Sequence, residues 1–242
     1  MLFLTGGIAI SFALIHLYSY RLKFLDSTPR SWWLSFSSGI SVAYVFVHVL
    51  PDLNEAQQDL SSSLMVLDFF EHHVYVAALV GMVVFYGLER IAKESREKNM
   101  AEGDGDVTEP GVFWLHMTSF TLYNLVIGYL LQHREEQDFS NLIMYAVAMG
   151  THMLVNDYGL RHHHRQLHKK VGRWVLAAAV IAGWVVSSRY AISEAALAVV
   201  FALLAGSIIL NVLKEELPDE RQSRYWIFAL GVSSYTVILL AV

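Results

Sequence analysis

The sequence has no cysteine, only 4 prolines, and charge on only 16% of its residues. Without thiols there is no disulfide and no thiolate ligand, so any bound metal must be held by His, Asp, Glu, Asn or Met. So few charges along 242 residues leave too little polar surface to cover a soluble globule. No Lys or Arg precedes the first apolar run, Met1 to Ser19, while Arg21 and Lys23 follow it. That order is the reverse of a cleaved signal peptide and predicts a retained anchor. No basic patch with interleaved aromatics accompanies the net charge of −5, so nucleic acid is not an expected partner. His-Glu-x-x-His, an intramembrane His pair at i, i+4, and Gly-x-Ser-x-Gly are all missing, so an intramembrane hydrolase, and enzyme activity in general, is not expected.

What is abundant is apolar: 55% of residues, with mean hydropathy +0.42. A helix needs roughly 20 apolar residues to cross a hydrocarbon core of roughly 30 Å. The chain divides into eight such runs, 1–20, 32–51, 69–89, 112–132, 139–160, 172–188, 193–213 and 225–242. The expected fold is therefore all-α, a polytopic membrane protein forming a single transmembrane domain over 1–242. Its one long hydrophilic stretch, 90–111, is too poor in apolar residues to order itself and is expected to be a mobile cytoplasmic loop.

If the N-terminus lies outside, every one of the 17 Lys and Arg except Arg134 and Arg189 falls in the connections after spans one, three, five and seven. The positive-inside rule then fixes a multi-pass topology in the cell membrane, with both termini on the non-cytoplasmic side. Trp32, Trp33, Trp114, Trp174 and Trp226 fall independently at the cytoplasmic starts of the even spans, where indole favours the headgroup level. The lipid bilayer is the first expected partner. A homodimer is left open, because an interface in lipid has no hydrophobic signature of its own.

The long stretch at 90–111 groups the spans as 3+2+3. The second span closes in His48-Val-Leu-Pro-Asp52 and the seventh in Glu215-Glu-Leu-Pro-Asp219. These spans are the second members of their triplets and run in opposite directions, as in the inverted repeats of secondary transporters. The plainer reading is that Leu-Pro-Asp stops two helices, since proline cannot continue the hydrogen-bond ladder.

Eight spans, both ends outside, the 3+2+3 grouping and His-x-Leu-Pro-acid closing the second span together resemble the ZIP family of divalent metal transporters. The resemblance covers the whole chain. Phe85-Tyr-Gly-Leu-Glu-Arg90, Ile127-Gly128, and Ala205-Gly206 leading to Glu215-Glu-Leu-Pro add to it. It implies carriage of a divalent cation of the Zn, Fe or Mn class through a site between the fourth and fifth spans. Aligned on Ile127-Gly128, the family's fourth-span His-Asn-x-x-acid-Gly becomes Ser119, Phe120, Tyr123 and Asn124, without its usual ligands. In the fifth span, the family's His-Glu-x-Pro-ligand-acid falls on His152, Met153, Val155, Asn156 and Asp157.

The residues themselves lead to the same place. His152 and Asn156 are i, i+4 on a helix, Asp157 flanks them, and ionisable groups in mid-span normally face a bundle interior or a wet cavity. Imidazole with carboxylate suits Zn²⁺, Fe²⁺ or Mn²⁺. Ser119, Tyr123 and Asn124 would add neutral oxygens. The alternative is that these groups only hydrogen-bond between helices. That reading goes with a ZIP-fold protein that has lost transport and serves as a sensor, a partner subunit or a carrier of another solute.

Outside, His48, Asp52, Glu71, His72 and His73 could form a cation-gathering entrance, supported by Glu135, Glu136 and Asp138, or be simply solvated. Inside, His162, His163, His164 and His168 could bind metal. Their neighbouring cations favour a positive anchor near anionic lipid instead. His16 and His116 read as lone packing groups, and the small residues Ser35, Ser37, Ser38, Gly39, Ser41 and Ala43 read as a close-packing face.

Overall fold

A computed structural model of the chain describes residues 1–22, 32–63, 73–103, 108–133, 139–216 and 224–241. Among them there is no strand. The helices are α1 (Leu2–Tyr18, continued by a 3-10 turn Ser19–Arg21), α2 (Trp32–Tyr44), α3 (Leu50–Ser63), α4 (His73–Glu102), α5 (Pro110–Leu130), α6 (Phe139–Leu167), α7 (Arg173–Ser187), α8 (Glu194–Asn211) and α9 (Tyr225–Ala241). Among the described residues, five helical segments, Leu2–Arg21, Trp32–Gln58, His73–Glu102, His168–Ser187 and Glu194–Lys214, are long and apolar enough to cross a membrane, and α9 is a shorter apolar helix. The chain is a multi-pass membrane protein. The helices that fall outside this set, α5 and α6, carry polar side chains buried in the bundle: His116, Asn124, His152, Asn156 and Asp157.

Three helix pairs cross with their backbones in contact. A Cβ on Gly206 of α8 would overlap the carbonyl oxygen of Ala78 on α4, and one on Gly81 would overlap that of Leu203. Gly39 of α2 and Gly231 of α9 meet the same way, as do Gly128 of α5 and Gly183 of α7. Small residues at a crossing give membrane helices the van der Waals contact that lipid cannot provide, which is why these glycines sit at the interfaces. α5 and α7 run parallel, since Met117 lies against Gly172, Gly128 against Val180 and Trp184, and Gln132 against Ser187. α4 and α8 also run parallel, from the Gly81 crossing to the Glu89–Lys214 ion pair.

Several boundaries depart from the sequence reading. The second span does not stop at Leu-Pro-Asp: a π-turn at Val45–Val49 joins α2 to α3, and the helix runs through Pro51 to Ser63. Proline has no N–H and its ring crowds the preceding turn, and widening that turn lets the helix pass. α8 is likewise continued by a π-turn, Val212–Glu216, directly before Leu217. The stretch 90–111, expected to be a loop, is helical to Glu102. Its i, i+4 pairs Arg90–Glu94 (2.7 Å) and Lys93–Glu97 (3.9 Å) face outward, while Ala92, Ser95 and Asn99 are buried. Spacing of charges for helical pairing outweighed the low apolar content. Glu109 then turns back onto this extension, its N–H donating to Ser95 Oγ (2.9 Å) and its carboxylate meeting Lys98 (3.2 Å), and Pro110 opens α5. The break at 189–192 stands as expected, with Ser193 capping α8.

Candidate functional site

Polar groups gather where the last turn of α1 meets the middle of α5 and the second half of α6. An imidazole or a carboxylate among apolar helices must find a partner, because leaving it unpaired costs several kcal/mol, on the order of the desolvation penalty itself. Here they find each other. His16 Nδ1 lies 2.9 Å from Asp157 Oδ1, and Ser19 donates its hydroxyl to Asp157 Oδ2 at 2.9 Å. His16 Nε2 lies 2.9 Å from Asn124 Oδ1. The amide of Asn124 is oriented by its own Nδ2, which donates to the Phe120 carbonyl at 2.8 Å. Both nitrogens of His16 therefore face oxygens, the pattern of an imidazolium that donates twice, and it sits against the carboxylate in a charge-assisted pair. His168, from the π-turn His168–Gly172 between α6 and α7, brings Nε2 to 3.7 Å from Asp157 Oδ1.

One helical turn away, His152 is fully buried. Its Nε2 is approached closely by the Tyr123 hydroxyl and by Asn156 Nδ2 at 2.9 Å. Tyr123 in turn packs against Phe85 and Phe120. The six residues expected to form one metal site thus divide. His152, Tyr123 and Asn156 form one group, and Asp157 and Asn124 form another around His16. Ser119 belongs to neither, since it is partly exposed and donates to Leu115 O in its own helix at 3.1 Å.

A further chain approaches from the far end of α6. Thr108 Oγ1 lies 2.6 Å from His164 Nδ1, and His164 Nε2 lies 3.0 Å from His116 Nδ1. His164 sits at a kink in α6 with φ −130 and ψ 36. Beyond His116 is a cavity of about 20 Å³, room for about one water molecule, walled by Glu89, His116, Asn156 and Asn211. His116 Nε2 and Asn211 Nδ2 are buried there without a partner among the described residues.

The inner histidine run is therefore no exposed loop. His164 and His168 are buried in the helical bundle, and the side chains of His162 and His163 lie outside the described residues. Of the outer group, His48 Nε2 and Asp52 Oδ2 are 3.7 Å apart and partly exposed, and His73 opens α4. Glu71, His72, Glu135, Glu136 and Asp138 lie outside the described residues. His16 and His116, read from sequence as lone packing groups, are both members of polar chains. The signal for His16 was present: Asp157 is a carboxylate in the middle of a span, and a mid-span imidazole is the partner such a group requires.

Among the described residues, no three His, Asp or Glu side chains converge as ligands for one metal ion. One group offers a cation a single imidazole, His152, beside the neutral Tyr123 and Asn156, and the other holds the Asp157 carboxylate paired with His16. In comparisons with known proteins, no family model matches the chain and no curated protein matches its sequence.

Proposed function

We propose that the chain is a ZIP-like carrier which crosses the bilayer eight times, with an inverted repeat of three spans on either side of a central pair. It moves a divalent metal cation of the Zn, Fe or Mn class past His152 and Asp157. The observation that carries this reading is a shared register. The separation from Gly39 to Gly206 equals that from Pro51 to Pro218, and the π-turn Val45–Val49 stands at the same separation from the π-turn Val212–Glu216. Proline accounts for a π-turn beside it, but not for a crossing glycine three turns earlier in both copies. Mapping the first three spans on the last three turns the α2–α9 pair into the α8–α4 pair, and at both crossings a glycine of each helix lies against the backbone of the other. Repeats of opposite orientation around a central polar site are a construction of secondary transporters.

The sidedness rests on the positive-inside count and on tryptophan. Trp32, Trp33, Trp114, Trp174 and Trp226 are all exposed, as residues at a headgroup belt would be, whereas Trp184 is turned inward and donates to Thr5 Oγ1 at 3.0 Å.

A cation arriving at His152 Nε2 replaces the Tyr123 proton at the same lone pair, with the Tyr123 and Asn156 oxygens as neutral donors. For Asp157 to join, its pair with His16 must open and the His16 proton must leave. Metal affinity is therefore expected to rise with pH, by up to about tenfold per unit for one released proton.

One set of observations favours a second reading, in which the fold has lost transport and serves as a sensor, a partner subunit or a carrier of another solute. Asp157 is already satisfied by His16 and Ser19, and His152 Nε2 by Tyr123 and Asn156. Elemental analysis separates the two readings. Detergent-purified protein equilibrated with Zn²⁺, Fe²⁺ or Mn²⁺ is compared with a His152→Ala/Asp157→Ala variant. Stoichiometric metal in the first and none in the second supports the carrier. Equal metal in both, or none in either, leaves the second reading.

A further inference from the structure

Where α1, α6 and α7 end together, cations collect on one tyrosine. The guanidinium of Arg173 lies 4.6 Å from the ring centroid of Tyr20, that of Arg21 at 5.7 Å, and the ammonium of Lys169 at 5.8 Å. Arg21 also reaches over Tyr18 at 5.3 Å, and Arg173 over the exposed ring of Trp174 at 5.3 Å. Arg161 stands beside them, its Nη1 donating to the Tyr20 carbonyl at 3.4 Å. A preference for positive charge on one side of the membrane explains why these residues are basic. It does not explain why side chains from three different elements converge on one ring; the ring and its hydroxyl, which accepts from Arg21 Nε at 3.0 Å, hold them there, and an anion beside them would offset the repulsion between like charges.

Among the described residues, no carboxylate is paired with Arg21, Lys169 or Arg173. Arg173 Nε is buried without a hydrogen-bond partner among the described residues, while its Nη1 is spent on the Leu17 carbonyl at 3.3 Å. Arg21 and Lys169 are exposed at the level of Trp174, the depth at which an indole meets headgroups. A basic pocket between membrane helices at this level suits the phosphate of an anionic lipid.

We propose that Arg21, Lys169 and Arg173, gathered over Tyr20, bind the phosphodiester headgroup of one anionic phospholipid in the leaflet that faces the basic side of the protein. The phosphate neutralises the cluster and the acyl chains lie along the exposed apolar faces of α1 and α7. Occupancy fixes the turn Ser19–Arg21, and with it the Ser19 hydroxyl that donates to Asp157, so the lipid steadies the buried polar group from outside. This inference requires only that the chain sits in a membrane, and it holds whether or not a metal is carried.

The test uses purified full-length chain, delipidated in a neutral detergent. Thermal unfolding is measured with added phosphatidylglycerol, phosphatidylcholine or inorganic phosphate, and lipid stoichiometry is measured by native mass spectrometry. The expected result is one retained phosphatidylglycerol per chain and a rise in Tm with that lipid only. Arg21→Gln/Lys169→Gln/Arg173→Gln should weaken its binding about a hundredfold, about fivefold per charge. Arg90→Gln/Lys93→Gln/Arg96→Gln removes as many cations from the extension of α4 and should leave binding unchanged. If the triple variant does not fold, Lys169→Gln alone, on an exposed side chain, should still show the fivefold loss. Equal shifts with both lipids, an equal loss in the two triple variants, or a rise in Tm with inorganic phosphate alone would overturn the proposal.

Discussion

Replacing Asp157 by Ala is expected to lower the unfolding free energy by about 3–5 kcal/mol, the cost of stranding a buried partner charge. His16 would then be left with Asn124 alone, in a site closed to water. The informative comparison is the double variant His16→Leu/Asp157→Leu, which removes both charges and fills their volume with apolar side chains. It should be less damaging than either single charge removal, because a buried ion pair compensates mostly for its own desolvation. Reversible unfolding in mixed micelles, run as a double-mutant cycle with His16→Leu and Asp157→Leu, measures the coupling. Strictly additive effects would mean that His16 and Asp157 do not pair.

The second large effect is expected at the glycine crossings. Gly206→Leu and Gly183→Leu place a side chain where a backbone carbonyl of the facing helix already lies, Ala78 O and Leu125 O respectively. Only separation of the two helices relieves the overlap, and it forfeits the packing that holds the pair. The loss should exceed the ~1–3 kcal/mol typical of an overpacked core. Gly87 and Gly7 have open space around the position of a Cβ and serve as controls. Gly87→Ala should be neutral or mildly stabilising, since alanine costs a helix less than glycine does. Yield of monodisperse protein and its Tm in detergent distinguish the two classes. If Gly206→Leu behaved like Gly87→Ala, the α4–α8 crossing, and with it the repeat, would not stand.

Much of the helical plan could be read from the chain. The runs 172–188, 193–213 and 225–242 agree with α7, α8 and α9 to within about two residues, because a long apolar run in a nearly uncharged sequence leaves the backbone no other way to satisfy its hydrogen bonds in lipid. Ends were misread where local chemistry overrode composition. Leu-Pro-Asp at 50–52 was read as a stop, because the π-turn that carries the helix past Pro51 leaves no mark on hydropathy. The acidic and basic run after Glu89 was read as a loop, although its charges stand four apart and pair along a helix. At the site, the sequence reading joins His152 to Asp157 as one ligand set, whereas the structure places them in two separate polar groups. Close in sequence, they face different partners, since a five-residue offset carries the side chain past a full turn to another face of α6, one toward Tyr123 on α5 and the other toward His16 on α1.

By itself, the sequence determined that this chain is helical and lives in a membrane, and that a carboxylate with imidazoles must be hidden among the helices. Those properties follow from composition and period, because transfer into lipid is a sum over residues. Only the tertiary structure decided that His16 is the partner of Asp157, that Ser119 turns to its own helix rather than to either polar group, that glycines close three crossings, and that Arg21, Lys169 and Arg173 share one tyrosine. Each is a contact between residues far apart in the chain, fixed by which helices pack and at what height. No local pattern records that height.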